Sequence, residues 1–352
     1  MSERFVAVIT SDRYSESTTS LDPEKAILTE YPEIDLDLRV EHLSSESDLI
    51  RIGCEADAIF LSTRDAVSRH ALEGMNRVKV LARYGVGLDN VDLEAATDHD
   101  VVVTHYPQYC TNEVADHAVS LVLALNRRLV ELNSDLREGA WQAHGALTQD
   151  ILRGPVKALR DTTVGMVALG RIGEKIAARL RPFGVNLVVA DPYIDSARIE
   201  AIGARAVTLE ELVSGADTIV LMCPLTPETR GLLGKAQFDR MKPDVAIVNT
   251  SRGPVIDEAA LIDFLNANPG AQAGLDVFEV EPLPMDSPLY RLPNVVVTPH
   301  SAYYSERSVA VLRDETFRSA IDVLRGYEPP TVANPAVLER VPLRKQPAHP
   351  VQ

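Results

Sequence analysis

Three residues towards the C-terminus have types and neighbours suited to chemistry: Arg252 in VNTSRGPVIDEAAL, Glu281 in GLDVFEVEPL and His300 in VVVTPHSA. An arginine grips a carboxylate through two parallel N–H donors and polarises a carbonyl beside it. A histidine exchanges a proton near neutral pH. A glutamate beside the imidazole orients the ring and stabilises its charged form. Taken singly, each has an ordinary explanation: a solvated arginine, a loop carboxylate, a packed histidine. Together they carry more weight, because each lies at or just beyond the end of a short apolar run of strand length.

Those runs are the elements that must position them. Val245–Asn249 leads to Arg252, Ala273–Val277 to Glu281, and Val295–Thr298 to His300, while Thr218–Met222 leads into Cys223-Pro224-Leu225-Thr226. Strands alternating with helical patterns predict a parallel sheet, whose ligands sit beyond the carboxyl ends of its strands. Upstream, VGMVALGRIGEKIAARLRPFGVNLVVAD (Val164 to Asp191) reads as strand, glycine turn, helix to about Phe183, second strand and acid. Gly170 lets backbone approach a pyrophosphate, Gly173 lets helix pack on strand, and the helix N-terminus holds phosphates. Asp191 is placed to accept from ribose hydroxyls. No Arg or Lys follows it in Pro192-Tyr193, which favours NAD(H) over NADP(H). Ala168 occupies the first glycine position of the G-x-G-x-x-G pattern. A dinucleotide upstream of the Arg–Glu–His set makes hydride transfer coupled to proton transfer the chemistry to expect.

The first hundred residues read as a small α/β domain. Its strand candidates are Phe5–Thr10, Leu36–Val40, Ala58–Ser62, Lys79–Tyr84 and Val101–His105, with helices such as Pro23–Glu30 and Val67–Met75 between them. After the fourth strand, Gly85, Val86 and Gly87 offer backbone N–H groups for an anion nest or a plain tight turn. A helix is expected over Val114–Leu132, capped by Thr111 or Asn112. It is apolar around most of its circumference, and with Trp141 beyond it predicts a homodimer through this region. His105, His117 and His144 are expected to be structural, and His42, His70, His99 and His349 superficial. Another helix is expected over Ser305–Arg325, and from Glu328 the chain turns proline-rich and irregular.

The 352 residues suit two domains. With 35 Lys and Arg against 51 Asp and Glu, the net charge of −16 argues against direct nucleic-acid binding. An anionic substrate must therefore be drawn in by a local basic site. No apolar run spans a bilayer and the N-terminus lacks a secretory pattern, so a cytoplasmic location is expected, with no membrane partner. Three well-separated cysteines, Cys54, Cys110 and Cys223, give neither a disulfide framework nor metal-ligand spacing.

Across nearly its whole length the chain resembles the D-isomer-specific 2-hydroxyacid dehydrogenase family. The matching residues run from Arg83 to Asn90 (RYGVGLDN) and Asn112 to His117 (NEVADH), then the nucleotide turn, Asn249 to Gly253, Asp257-Glu258, Asp276 to Pro282 and Thr298 to His300. Gly154-Pro155-Val156 and Ser301 to Glu306 look most like its C-terminal-binding protein and phosphoglycerate dehydrogenase side, which includes NAD(H)-dependent corepressors as well as enzymes. The resemblance implies two Rossmann-like doubly wound α/β domains, a flavodoxin-like substrate domain (1–105 and 301–330) interrupted by an NAD-binding domain (106–300); the proline-rich composition makes 331–352 a tail. It implies a cleft in which Arg252 anchors the substrate, His300 is the acid/base and Glu281 its partner. Tyr84, Gly85, Val86 and Gly87 would bind the substrate carboxylate, with Tyr303 lining the pocket. Ala168, Gly170, Arg171, Ile172 and Gly173 would meet the pyrophosphate and Asp191 the ribose. Cys223, Pro224, Thr250, Ser251, Arg252 and Asp276 would lie by the nicotinamide end. Ala168 and Tyr303 depart from the pattern, the latter standing where that branch commonly has Trp.

The expectation is an NAD-dependent oxidoreductase acting on a small D-2-hydroxy acid or 2-oxo acid. Two alternatives share the cofactor residues: an NAD(H)-sensing interaction protein, and a dehydrogenase of a non-carboxylate anion such as a phosphonate or phosphite.

Overall fold

The computed structural model describes residues 4–10, 20–62, 64–144 and 154–345. The chain divides into two compact units, Met1–Tyr109 with Ser305–Gln352, and Cys110–Tyr304.

The first unit is built on five parallel strands, β1 (Arg4–Ile9), β2 (Asp35–Val40), β3 (Ala58–Leu61), β4 (Val80–Arg83) and β5 (Val102–His105), in the order β2-β1-β3-β4-β5. This is the flavodoxin-like order. All five expected strands are present. Their apolar residues alternate between two cores: Phe5, Ala7, Ile9, Phe60, Val80 and Ala82 face one, Val8, Ile59, Leu61, Leu81 and Val103 the other. Burial on both faces is why these strands read as nearly continuous apolar runs. The helix Glu306–Leu324 seals the first core with Phe317, Ala320 and Ile321.

The expected tail is not one as far as Lys345. Asn334 donates to Val101 O at 2.9 Å and accepts from Val103 N at 2.9 Å, and Val337 is fully buried in the core. An asparagine satisfying the edge of β5 and a valine filling the core outweigh the proline-rich composition. Residues 346–352, with His349, lie outside the described residues, as does Thr63. The unit boundaries fall at 109/110 and 304/305 rather than 105/106 and 300/301.

The second unit carries seven parallel strands, β6 (Thr163–Val167), β7 (Asn186–Ala190), β8 (Arg205–Ala206), β9 (Thr218–Leu221), β10 (Ala246–Asn249), β11 (Gln272–Leu275) and β12 (Val295–Val297). Their order is β12-β11-β10-β9-β6-β7-β8. Strands β6 to β8 wind one way from β6 and β9 to β12 the other, so the order reverses between β6 and β9. Val167 pairs with Ala190 and Leu221, Asn249 with Leu221 and Leu275, and Leu275 with Val297. The carboxyl ends of six strands therefore form one row, and whatever follows them shares one rim.

The long expected helix is two. Thr111–Asn126 ends, and Leu129–Arg137 begins after Arg128, whose φ of 50° is left-handed. Arg128 is 1 % exposed; its guanidinium donates to Glu131 Oε2 at 2.8 Å and to Gly270 O at 2.7 Å. An unpaired buried guanidinium would be costly, so these partners fix the kink. The first helix is capped by neither Thr111 nor Asn112: its N-cap is Cys110, without a side-chain bond.

Candidate active site

Ala168 to Gly173 follow β6, Asp191 follows β7, Cys223 follows β9, Thr250 to Arg252 follow β10, Asp276 follows β11, and Thr298 to His300 follow β12. The carboxyl-end rim thus gathers the second unit's candidate catalytic and cofactor residues except Glu281, which is brought back by a loop; Tyr303 lies three residues past His300.

His300 Nδ1 lies 2.6 Å from Glu281 Oε2. Glu281 Oε1 accepts from Phe278 N at 3.0 Å, which fixes the carboxylate's approach. Burial raises the Glu281 carboxyl, but the His300 hydrogen bond and charge, the Phe278 N–H and the Arg252 charge outweigh it and hold the group below its ordinary value. Glu281 is therefore an acceptor at neutral pH, and Nδ1 carries the hydrogen of the pair. That leaves Nε2 as the nitrogen that can take up or give a proton to a ligand. His300 sits at φ 50°, a strained conformation for a side-chain-bearing residue.

Arg252 is half-buried and extended, its Nη1 donating to Ser251 O at 2.7 Å. The backbone turns there because Asn249 spends its side chain on Ser251 N, Ser251 Oγ and Arg252 O. The next residue must be glycine. A Cβ on Gly253 would overlap the Phe278 carbonyl and stand 2.5 Å from Glu279 N. Gly253 thus lets the Arg252 turn press against the loop that ends in Glu281. Glu258 braces the same loop by accepting from Glu279 N at 3.1 Å. Asp257, also in the quoted motif, caps the helix Glu258–Ala267 at Ala260 N.

The nucleotide turn fits its expected ligand. Gly170 is the N-cap of Arg171–Leu180 without a side-chain cap, and a Cβ there would meet open space. Among the described residues, no acceptor lies on the N–H groups of Arg171, Ile172 and Gly173. Asp191 takes Leu169 N and Tyr193 N, each at 2.9 Å, which holds its carboxylate at the turn. These are the features that hold a dinucleotide's phosphates and ribose. Ala168 makes the turn at φ 74°, glycine's conformation.

This strain is testable. Relieving a left-handed alanine is worth about 1–2 kcal/mol, against roughly 0.4–1 kcal/mol of added unfolded-chain freedom. Ala168→Gly is therefore expected to raise the melting temperature by up to roughly 6 °C and leave NADH affinity equal or tighter. Thermal melts and fluorescence titration check it; a lower melting temperature would show that the methyl group is packed, not strained.

Cys223 is buried, and burial, with a smaller contribution from Asp191, pushes its thiol up to about 11, so it is no nucleophile at neutral pH. Thr250 and Ser251 are buried, the former reaching Met222 Sδ at 3.5 Å, while Pro224 is exposed. Among the described residues no group of His, Cys, Asp and Glu side chains can hold a metal ion, and no helix is long and apolar enough to cross a membrane.

In the first unit, Tyr84 stacks on Phe60 at 5.9 Å and Gly85 has φ 143°. A Cβ on Gly85 would collide with the buried Arg83 guanidinium. Tyr84 N and Gly85 N are spent on Leu61 O and Arg83 O, whereas no acceptor lies on the N–H groups of Val86 and Gly87 among the described residues. The nest is thus narrower than the sequence suggested. His105 Nδ1 lies 3.1 Å from Val86 O, a structural role. The side chain of His144 lies outside the described residues. His117 is another matter: its Nε2 is 3.0 Å from Thr298 Oγ1, two residues from His300. His117 and Gly253 both lie in the motifs quoted above, but these contacts are not local in the chain and leave no mark on the sequence around them.

Comparison with known proteins extends the picture. Residues 119–302 match the family described as D-isomer specific 2-hydroxyacid dehydrogenase, NAD binding domain. The chain is 36% identical over 267 residues to a D-3-phosphoglycerate dehydrogenase of Archaeoglobus fulgidus, covering 76% of this chain and 49% of that protein. It thus spans about half the length of that relative. It is 35% identical over 326 residues to a glyoxylate reductase of Korarchaeum cryptofilum, covering 90% and 95%. Among solved structures, the TT0316 protein of Thermus thermophilus superposes with a TM-score of 0.79 at 30% identity, covering 93% of this chain and 99% of that one.

Proposed function

Since the chain belongs to the D-isomer-specific 2-hydroxyacid dehydrogenase family and carries its NAD-binding domain, we propose that it is an NAD-dependent oxidoreductase interconverting a small D-2-hydroxy acid and its 2-oxo acid. The observation that carries this is the 2.6 Å pair of His300 and Glu281 on the strand-end rim that also holds the dinucleotide turn. A protein that only sensed NADH would have no chemical use for such a pair. The named relatives act, by their names, on phosphoglycerate and glyoxylate, both small acids of this class.

NADH, when bound, supplies the hydride. Arg252 is proposed to grip the substrate carboxylate and polarise the neighbouring carbonyl. His300 Nε2 gives its proton to the carbonyl oxygen during reduction and takes it back during oxidation. Glu281 keeps the ring oriented and stabilises the imidazolium between the two states. Arg171 and Ile172, with Gly170 and Gly173, are assigned to the pyrophosphate and Asp191 to the ribose. Cys223, Pro224, Thr250, Ser251 and Asp276 are assigned to the nicotinamide end. On the first unit, Val86 N and Gly87 N, with Tyr84 beside them, are proposed as donors to an anionic group; on the second, Tyr303 is proposed to shape substrate preference. The test is NAD⁺ reduction by paired D and L enantiomers of short 2-hydroxy acids. Turnover of the D form alone supports the proposal, and turnover confined to the L form refutes it.

We further propose a homodimer through the second unit. Leu129, Val130, Leu136 and Trp141, on the helices Leu129–Arg137 and Ala140–His144, are each about half exposed. Apolar side chains so placed mark an association face. Light scattering is expected to give twice the 38.5 kDa chain mass. Leu136→Asp combined with Trp141→Ser is expected to halve it, and a wild-type monomer at micromolar concentration would exclude the dimer.

A further inference from the structure

The His300 turn is held by one buried carboxylate. Asp276, 1 % exposed, accepts from Thr298 Oγ1 at 2.5 Å, Ser301 N at 2.9 Å and Ala302 N at 2.9 Å, while its backbone oxygen accepts from His300 N at 2.8 Å. These bonds bracket the left-handed backbone of His300 on both sides. A carboxylate that accepts two backbone N–H groups has no proton to offer Thr298, so the threonine hydroxyl is the donor of that pair. Its lone pairs are then what face His117 Nε2 at 3.0 Å, and His117 must donate. His117 belongs to the helix Thr111–Asn126, with Nε2 3.7 Å from Asp276 Oδ1.

We propose that His117 is a positioning residue for catalysis. Its Nε2–H locks the Thr298 hydroxyl onto Asp276, and Asp276 in turn holds the strained turn that aims the His300 ring. The chain of bonds runs from the helix Thr111–Asn126 to the backbone on the C-terminal side of His300 through one hydroxyl and one carboxylate, and members of such a network act as a unit. The catalytic part of this inference rests on the acid/base role proposed for His300.

The test uses the full chain and three variants. His117→Leu removes the donor, His117→Gln restores an N–H donor on a side chain of similar reach, and Thr298→Val removes the hydroxyl. His117→Leu is expected to lower kcat about tenfold, the scale of one lost hydrogen bond in a charged network. KM for the 2-oxo acid should stay within about twofold, because Arg252 is untouched. His117→Gln should return kcat to within about threefold of wild type. Thr298→Val should match His117→Leu, and the double variant should be no worse than either. Independently of turnover, amide exchange over residues 298–304 should quicken in the leucine variant and not in the glutamine variant, since Ser301 N and Ala302 N lose their fixed acceptor. Wild-type kcat and exchange in His117→Leu would overturn the proposal, as would a glutamine variant as damaged as the leucine one. If the wild-type chain reduced no 2-oxo acid while exchange behaved as stated, the reading of function would fall with the catalytic part, and the hold of His117 and Thr298 on the Asp276 turn would stand.

Discussion

Replacing His300 with asparagine is expected to lower kcat about a thousandfold, within the range for losing a positioned acid/base, while NADH affinity stays within about twofold. Asparagine is the informative choice. It is among the few residues that tolerate the left-handed backbone seen at φ 50°, so the turn survives. Its amide offers a hydrogen-bond donor but neither gains nor loses a proton at neutral pH. The pH profile distinguishes loss of a proton from loss of shape. Reduction needs imidazolium and oxidation needs neutral imidazole, so the two directions should show opposite pH dependences; in the asparagine variant both should flatten. Glu281 adds a second limb. Its carboxyl is held below its ordinary value, chiefly because the His300 hydrogen bond and charge outweigh burial. A depressed carboxyl gives its full contribution above the unfolded value and loses it as pH falls through the folded one. The pair is therefore intact at neutral pH and is lost only below the ordinary glutamate range. Turnover retained by His300→Asn would remove the histidine from the mechanism.

Gly253→Ala should be the most damaging single methyl group in the second unit. The added carbon would overlap the Phe278 carbonyl and crowd Glu279 N, and both neighbours are backbone that cannot swing aside. Overpacking of this kind costs about 3 kcal/mol or more, a fall of roughly 6 °C or more in melting temperature. Because the displaced loop carries Glu281, kcat should fall at least tenfold in whatever protein remains folded. Gly215→Ala is the matched control: nothing lies within 4 Å of its Cβ and its φ is not left-handed, so it should stay within about 0.5 kcal/mol of wild type. Thermal melts of the two variants side by side check the contrast. Equal stability would mean that the Arg252 turn and the Glu281 loop are not locked together.

Much of this was legible in the chain because the relevant signals are local. Strands buried on both faces announce themselves as apolar runs, and the glycine turn with an acid at the end of the next strand is a pattern of fixed spacing. The strand-end positions of Arg252 and His300 follow from those runs. What escaped was set by contacts distant in sequence. The helix break at Arg128 depends on Gly270 O, and the ordered stretch at Asn334 depends on the edge of β5. The left-handed turn at His300 depends on Asp276, and the importance of Gly253 on Phe278. The contact of His117 with Thr298 spans 181 residues and leaves no local signal.

The central claim, that His300, Glu281 and Arg252 act together on a 2-oxo acid with NADH, is tested most directly by NADH oxidation at 340 nm against a panel of short 2-oxo acids. Arg252→Ala serves as the control. The account predicts turnover of at least one member, abolished in the control. Measurable NADH binding with no turnover across the panel would contradict it, as would turnover that the control retains.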